Sequence, residues 1–280
     1  MKIINIIYLL SIPFLTCLSN DIPSYFNVDF NLSMKSGGRY DCNYSMKIPH
    51  WHKVKTLYDK YIKENINYQE TPLIPKKIHQ IWLGGPLPEK YKKFQQSWIE
   101  NHPDWEYKLW TDKDIEELNL INIKYYKNGK NLGEKSDIAR LEILYRFGGL
   151  YIDTDFECLR PFDILHHCCE FYAGCDAINT FVVYNGLIGS KPNHPILKRS
   201  IENIPTSTHH RETMFKTGPH FLTGCILQEL MSCDQPWIIF PTTYFYPWPC
   251  RHRNNNKREE IEKWIKPESF AIHHWYVSWG

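Results

Sequence analysis

Strand-like and helix-like patterns alternate along the chain from Pro75 onward, and this alternation constrains the fold more than any other feature. Residues 78–83 alternate apolar and polar side chains, as a half-buried strand does, before the pair Gly84-Gly85 breaks the pattern. The later segments are a helix at 88–101, a strand at 105–110, a helix from 111 or 112, a strand at 181–188, helices at 194–204 and 221–232, and a strand at 237–240. Such alternation favours a layered α/β fold whose strands end at a shared ligand-binding edge.

Two carboxylates follow a short apolar strand in the middle of the chain. A helix predicted for residues 134–147 stops at a double glycine, and the apolar residues 150–152 then lead to Asp153 and Asp155. Residues two apart on an extended chain point the same way, so both carboxylates could face one divalent ion. Mg²⁺ or Mn²⁺ neutralises the charge that develops when a sugar leaves a nucleoside diphosphate. The pair therefore indicates a donor site with Mn²⁺ or Mg²⁺ as cofactor.

Asp137 and Arg140 lie three residues apart on the helix that precedes the carboxylate pair. They share one helix face and could present a hydrogen-bond acceptor and a cation to the same ligand. A guanidinium suits a diphosphate because its planar fork binds two anionic oxygens at once. A plain surface ion pair explains the same spacing, so the residues alone leave both interpretations open.

Residues 273–279, near the C-terminus, are dense in side chains that bind metals or stack on sugars and bases. A histidine of the pair His273-His274 could complete the metal shell, and Trp279 could close over a donor. Paired histidines are also common on protein surfaces. Trp82, just before the double glycine, could form the base of a nucleotide pocket or could pack in the core.

Charge and the N-terminal segment bear on partners and location. The 280 residues carry a formal net charge of +2, so no basic excess argues for a nucleic-acid partner. Lys2 precedes a largely apolar run at residues 3–18, which predicts a signal peptide or a signal anchor and possible membrane association. The chain is therefore expected on a secretory route, lumenal or membrane-anchored in a eukaryote and exported or membrane-associated in a bacterium.

The chain divides into three predicted parts. Residues 1–19 are the signal peptide or anchor, residues 20–70 a stem or linker with an N-terminal helix, and residues 71–280 a catalytic domain. Removing a signal that contains Cys17 would leave eight of the nine cysteines. This even number permits full disulfide pairing but does not prove it.

Four ordered blocks of residues resemble glycosyltransferase family 32, a group of sugar transferases that carry a DXD motif. The blocks are Ile74-Pro75-Lys76-Lys77-Ile78-His79-Gln80-Ile81-Trp82, Ser136-Asp137-Ile138-Ala139-Arg140 running into Phe147-Gly148-Gly149-Leu150-Tyr151-Ile152-Asp153-Thr154-Asp155, Thr217-Gly218-Pro219, and His273-His274-Trp275 with Ser278-Trp279. The resemblance implies the α/β fold called GT-A, a nucleotide-sugar-binding fold with a mixed, mostly parallel sheet flanked by helices.

The resemblance also implies roles for individual residues. The nucleotide sugar would be bound by Trp82, Asp137, Arg140, Asp153, Asn185, Gly186 and Trp279. The catalytic residues would be Asp153, Asp155 and Arg140, and the metal ligands Asp155, Asp153 and His274. His274 and Trp279 would close the site, and Asn185-Gly186 would touch the transferred sugar or the acceptor.

The function implied by this resemblance is that of a retaining glycosyltransferase. Such an enzyme moves a hexose or N-acetylhexosamine from a UDP- or GDP-sugar donor to a glycan, glycolipid or protein acceptor. Two other classes of protein stay open at this stage. A secreted metal-dependent carbohydrate-binding protein, or a catalytically inactive relative, would bind sugars without turnover. A metal-dependent phosphohydrolase would use the same acidic pair without an acceptor.

Overall fold

The computed structural model describes residues 23–36, 49–64, 66–177, 181–230, 237–255 and 257–276. The segment predicted as a signal peptide or anchor lies outside the described residues, and so does Trp279. Within the described ranges, no helix combines the length and the apolarity that a bilayer crossing requires. The cysteines in the same ranges are free thiols.

A six-stranded mixed sheet forms the centre of the fold, and a two-stranded ribbon accompanies it. The strands are β1 (Lys77–Ile81), β2 (Glu106–Trp110), β3 (Gly149–Ile152), β4 (Phe156–Cys158), β5 (Phe171–Ala177), β6 (Phe181–Ser190), β7 (Trp237–Phe240) and β8 (Ala271–His273). The order in the large sheet is β2-β1-β3-β6-β5-β7, and β4 pairs with β8. Strands β2, β1 and β3 run parallel, as do β5 and β7, whereas β6 is antiparallel to both of its neighbours.

Helices flank this sheet and agree with most of the helices predicted from the sequence. They are α1 (Phe30–Ser36), α2 (Pro49–Tyr58), α3 (Glu89–Asn101), α4 (Asp112–Glu117), α5 (Ile123–Lys127), α6 (Leu132–Phe147), α7 (Asp163–Cys168), α8 (Pro195–Ser207), α9 (Thr213–Lys216), α10 (Pro219–Leu230) and α11 (Arg258–Glu262). The elements that the patterns missed are short, since a three-residue strand or a single helical turn has no measurable period. The longest of them, α1 and β5, have seven residues each, and the pairing of β5 with β6 is irregular at Gly174.

The sheet brings the ends of β1 and β3 to one edge. The two strands are parallel, with His79 opposite Tyr151, so Trp82 and Asp153 follow at the same edge. Every residue of β3 is buried, which fits a strand between two neighbours in the middle of a sheet. On the other side of β3, the Asp153 backbone N–H donates to the Gly186 carbonyl over 2.8 Å. The carboxylate pair therefore lies where three strands meet.

The described part of the predicted stem is structured and packs against the segment predicted as the catalytic domain. Phe26, Phe30 and Met34 are fully buried and belong to the same hydrophobic core as the sheet. The Phe30 ring lies edge-on to Trp51 at 5.1 Å. The Ser33 hydroxyl lies 2.5 Å from the Thr243 hydroxyl. The polar composition of this segment concealed Phe30 and Met34, which lie one turn apart in a short helix, and Phe26 just before that helix.

A truncation within this core tests whether the segment belongs to the catalytic domain. Phe30→Ala is expected to lower the free energy of unfolding by about 3–5 kcal/mol, because the cavity it leaves is enclosed by rings. The neighbouring Leu32→Ala is the matched control, since Leu32 is 64% exposed and its loss should cost under about 0.5 kcal/mol. Denaturant unfolding measures both. Equal stability of the two variants would contradict the packing described here.

Candidate active site

A cavity of about 260 Å³ opens at the sheet edge where β1 and β3 end. Aromatic side chains form much of its wall, and charged groups lie at its base. The residues predicted from the sequence that line it are Trp82, Arg140, Asp153, Asp155, Asn185 and Gly186. Tyr184, Trp275 and Tyr276 also line it, although none of them was predicted as a site residue.

Asp153, Asp155 and His273 form a cluster at the base of this cavity. One possible ligand atom from each lies within 4.8 Å of the others. The first carboxylate ends β3, and the second precedes β4. β4 pairs with β8 so that Phe156 stands opposite His273. Strand pairing thus brings together residues more than a hundred positions apart in the chain.

Asp155 is held in place by the C-terminal segment. Its Oδ1 lies 3.1 Å from His273 Nε2, and its Oδ2 accepts a hydrogen bond of 2.7 Å from the Tyr276 backbone N–H. Burial raises the pKa of this carboxyl, but the His273 ring and the Tyr276 N–H together bring the pKa below its ordinary value. The Asp155 carboxyl is therefore ionised at neutral pH.

The His273 ring is positioned by aromatic neighbours. It stacks on Phe156 at 4.3 Å with an angle of 4° between the planes, and the Trp275 ring lies 4.0 Å away. Its Nδ1 is buried and has no hydrogen-bond partner among the described residues. A neutral imidazole nitrogen is a ligand that first-row divalent metals accept readily.

The charge at the base of the cavity fits a divalent cation. Asp137, Asp153 and Asp155 contribute three negative charges and Arg140 one positive charge, which leaves −2 if His273 is neutral. Two carboxylates and an imidazole are a donor set that suits Mn²⁺, and Mg²⁺ accepts the carboxylates. The residues present therefore fit the metal expected from the sequence.

His274, the histidine named from the sequence as a metal ligand, faces away from the cluster. Its Nε2 lies 3.0 Å from Glu157 Oε2, and its ring stacks on Phe94 at 4.3 Å. Successive side chains along an extended chain point to opposite sides, so the two histidines cannot share one site. In this structure His273, and not His274, lies beside the two carboxylates, so a metal site here would use His273.

Arg140 lies at the centre of a buried network beside the cluster. Its Nη1 donates to the Asn185 carbonyl over 2.6 Å and lies 3.2 Å from Asp153 Oδ1. Its Nη2 lies 3.0 Å from Asp137 Oδ1, and the guanidinium stacks over the Tyr151 ring at 4.4 Å. Burial lowers the pKa of this guanidinium, but the carboxylates raise it above its ordinary value, so the charge is permanent.

Asp137 lies behind the cavity wall and, in this conformation, is not one of its lining residues. Its Oδ1 accepts 2.8 Å from the Asn185 amide, and its Oδ2 accepts 3.0 Å from the Thr217 hydroxyl. Burial raises its pKa to about 6, against the opposing effect of Arg140. The sequence led us to expect a direct contact between Asp137 and the donor. In the structure Asp137 instead contacts Asn185 and Arg140, and these two residues line the cavity.

Trp275 has an unusual backbone conformation, which was not used in the analysis of the sequence. Its φ of 58° lies in the left-handed region, which is uncommon for a bulky residue. Its indole N–H donates to the Trp248 carbonyl over 2.7 Å, which fixes the strained turn. Strain of this kind concentrates at ligand sites. The density of aromatic residues near the C-terminus was the only signal for this role in the sequence.

Gly186 leaves no room for a side chain next to the cluster. An added Cβ would lie 2.8 Å from Asp153 Oδ2 and 3.2 Å from the Phe156 ring. Gly186→Ala is therefore expected to displace the carboxylate and to weaken Mn²⁺ binding about tenfold to hundredfold. Gly224→Ala is the control, because an added Cβ there meets nothing within 4 Å. Metal titration measures both, and wild-type affinity in folded Gly186→Ala would contradict this role.

Comparison with known proteins identifies the family. Residues 88–171, which include Asp137, Arg140, Asp153 and Asp155, match the model of the glycosyltransferase sugar-binding region containing the DXD motif. The chain is also 31% identical over 286 residues to mannosyl phosphorylinositol ceramide synthase CSH1 of Saccharomyces cerevisiae, covering 76% of this chain and 73% of that protein. The chain belongs to the DXD glycosyltransferase family. Membership of this family confirms the resemblance carried by the four sequence blocks.

Other members of the DXD glycosyltransferase family are longer than this chain. Inositol phosphoceramide mannosyltransferase 3 of Schizosaccharomyces pombe is 28% identical over 243 residues, which cover 80% of this chain and 65% of that protein. Over three further curated relatives the chain spans between 45% and 58% of their length. Among solved structures, PaToxG glycosyltransferase matches with a TM-score of 0.53 and 20% identity over 73% of this chain and 81% of that one. This likeness confirms the GT-A fold.

Proposed function

We propose that this DXD glycosyltransferase transfers a hexose from a nucleotide-sugar donor to an acceptor hydroxyl, with a divalent cation at Asp153, Asp155 and His273. The observation that carries the proposal is the convergence of these three side chains at the base of one cavity with a formal charge of −2. Mn²⁺ or Mg²⁺ bound there would neutralise the departing diphosphate. The aromatic wall would supply stacking surfaces for the base and the sugar.

The chain's own residues would hold and orient the donor. Arg140, fixed between Asp137 and Asp153, keeps the Asp153 carboxylate aimed at the cation position. Burial raises the pKa of Asp153, opposed by Arg140, so the guanidinium supports the ionised form that a metal needs. Asn185 and Gly186 line the cavity next to Arg140 and Asp153, where they would meet the sugar or the acceptor.

The reaction we propose retains the anomeric configuration. The bond from the sugar C1 to the donor phosphate oxygen breaks, and a bond from C1 to the acceptor oxygen forms on the same face. The acceptor hydroxyl proton passes to the leaving phosphate oxygen, so no carboxylate base is required. The protein contributes position and charge, which supply several kcal/mol of transition-state stabilisation in such sites.

The names of the relatives favour mannose as the sugar and an inositol phosphoceramide as the acceptor. Both yeast proteins compared above are named for mannosyl transfer to such a lipid. We propose a glycolipid acceptor of this class for the present chain. The predicted N-terminal signal or anchor would place the reaction in the lumen of the secretory route or at its membrane.

A donor and metal screen tests the proposal. The chain from residue 21 onward is incubated with GDP-mannose or with UDP-hexoses, with inositol phosphoceramide, and with Mn²⁺, Mg²⁺ or chelator. We expect one donor to give product when metal is present and no product when chelator is present. If that donor is α-linked, NMR should show an α-linked product. Metal-independent transfer would contradict the cation's role. Metal-dependent carbohydrate binding without transfer from any donor would favour a binding protein.

A further inference from the structure

Arg140, the residue that the sequence assigned to the diphosphate, has little capacity left for it. Four contacts occupy its N–H groups: the Ser136 and Asn185 carbonyls at 3.3 and 2.6 Å, and the Asp137 and Asp153 carboxylates at 3.0 and 3.2 Å. A guanidinium has five N–H donors, and four are already engaged. A bidentate contact with phosphate would therefore break an existing ion pair. A second cationic side chain at the cavity would therefore be better placed than Arg140 to meet phosphate oxygens.

Arg253 is the other arginine that lines the cavity in the described part of the chain. It is exposed, and no carboxylate of the described residues forms an ion pair with it. No lysine lines the cavity within the same described ranges. The base of the cavity is thus acidic and suited to a metal, whereas Arg253 adds a positive charge that no carboxylate among the described residues pairs with.

Backbone and aromatic contacts hold the turn that contains Arg253 in place. The Arg253 backbone N–H donates to the Cys250 carbonyl over 3.1 Å. Just before it, the His252 ring lies against Trp248 at 5.3 Å and against Trp264 at 5.4 Å. Trp248 also accepts the Trp275 indole N–H, which ties this turn to the segment that carries His273.

We propose that Arg253 is a phosphate-binding residue at the mouth of the cavity, contacting phosphate ester oxygens of a bound substrate. This inference rests on the proposed function, and it adds a binding role for a residue outside the family's matched region. The phosphate has two possible sources: the diphosphate of the donor or the phosphodiester of the lipid acceptor. Between the metal cluster and Arg253, a phosphate group would meet positive charge on both sides.

The test compares Arg253→Gln and Arg253→Lys with Arg251→Gln. Arg251 is a matched control, because its guanidinium lies over the Trp264 ring at 5.6 Å and does not line the cavity. The affinities of GDP and UDP are measured with Mn²⁺, and the KM values of GDP-mannose and inositol phosphoceramide are measured in parallel. Loss of a charge-assisted hydrogen bond should weaken the affected ligand about tenfold to hundredfold.

The two measurements distinguish the phosphate sources. Weaker nucleoside diphosphate binding in Arg253→Gln, with partial recovery in Arg253→Lys, assigns the contact to the donor. An unchanged nucleotide affinity with a raised KM for the phospholipid assigns it to the acceptor. Wild-type values for both ligands in an active Arg253→Gln enzyme would overturn the inference and leave the proposed function intact. A wild-type protein that binds no nucleotide and transfers no sugar would overturn both.

Discussion

Asp155→Asn is expected to lower the rate of sugar transfer about 1000-fold or more, which corresponds to about 4 kcal/mol of transition-state stabilisation. The amide loses the negative charge that a metal requires. Its remaining oxygen can still accept the Tyr276 N–H that Asp155 accepts over 2.7 Å, so the fold should be retained. Initial rates at saturating Mn²⁺, together with a thermal unfolding curve, measure the two effects separately.

Glu157→Gln is the matched control for this experiment. Glu157 lies two residues further along the chain and contacts His274 and Arg258 outside the cavity lining. Its amide variant should transfer sugar within about twofold of the wild-type rate, since Glu157 does not line the cavity and its amide can still contact His274 and Arg258. More than a tenth of the wild-type rate in Asp155→Asn would remove that residue from the metal site.

Arg140→Lys is expected to lower both stability and activity. A single ammonium cannot reach Asp137, Asp153 and the Asn185 carbonyl together, so at least one buried carboxylate would lose its partner. We expect the free energy of unfolding to fall by about 3 kcal/mol and the transfer rate to fall about 100-fold. Denaturant unfolding and initial rates with Mn²⁺ measure these changes.

Arg146→Lys is the matched control for Arg140→Lys. It shows whether an arginine-to-lysine change elsewhere on α6 has the same effect as one in the Arg140 network. Arg146 lies on the same helix, pairs with Glu142 at 3.3 Å and does not line the cavity. Lysine keeps a cation beside Glu142, which also accepts the Ile121 and Asn122 N–H groups, so we expect the transfer rate to stay unchanged even if stability falls. A wild-type rate in Arg140→Lys would show that the fork geometry is not needed at the donor site.

The position of the acidic pair was predictable because its signals are local. A double glycine, three apolar residues and two acids in alternate positions define a strand end without knowledge of the rest of the chain. The structure adds only that this strand, β3, lies between β1 and β6. For the same reason the long helices and the strands next to them were predicted correctly.

The choice between His273 and His274 could not be made from local patterns. It depends on the pairing of β8 with β4, which sets Phe156 opposite His273. A shift of one residue in that register would exchange the two histidines. No nearby sequence feature encodes a contact across more than a hundred residues, so the sequence could not show that His273 is the histidine beside Asp155.

The packing of residues 23–36 and the partners of Arg140 were hidden for a related reason. A seven-residue helix that buries Phe30 and Met34 carries too few apolar positions to show a period. The commitment of Arg140 to Asp137 and Asp153 depends on burial, which spacing on a helix does not reveal. Arg253 had no sequence signal, because its significance comes only from the cavity that the fold creates.

The most direct test of the metal-centred account is diffraction at the manganese absorption edge from crystals of the protein grown with Mn²⁺ and GDP. The account predicts one anomalous peak within coordination distance of Asp153, Asp155 and His273, in contact with phosphate oxygens of the nucleotide. A peak at His274, or nucleotide bound in the cavity with no metal between it and the two carboxylates, would contradict it.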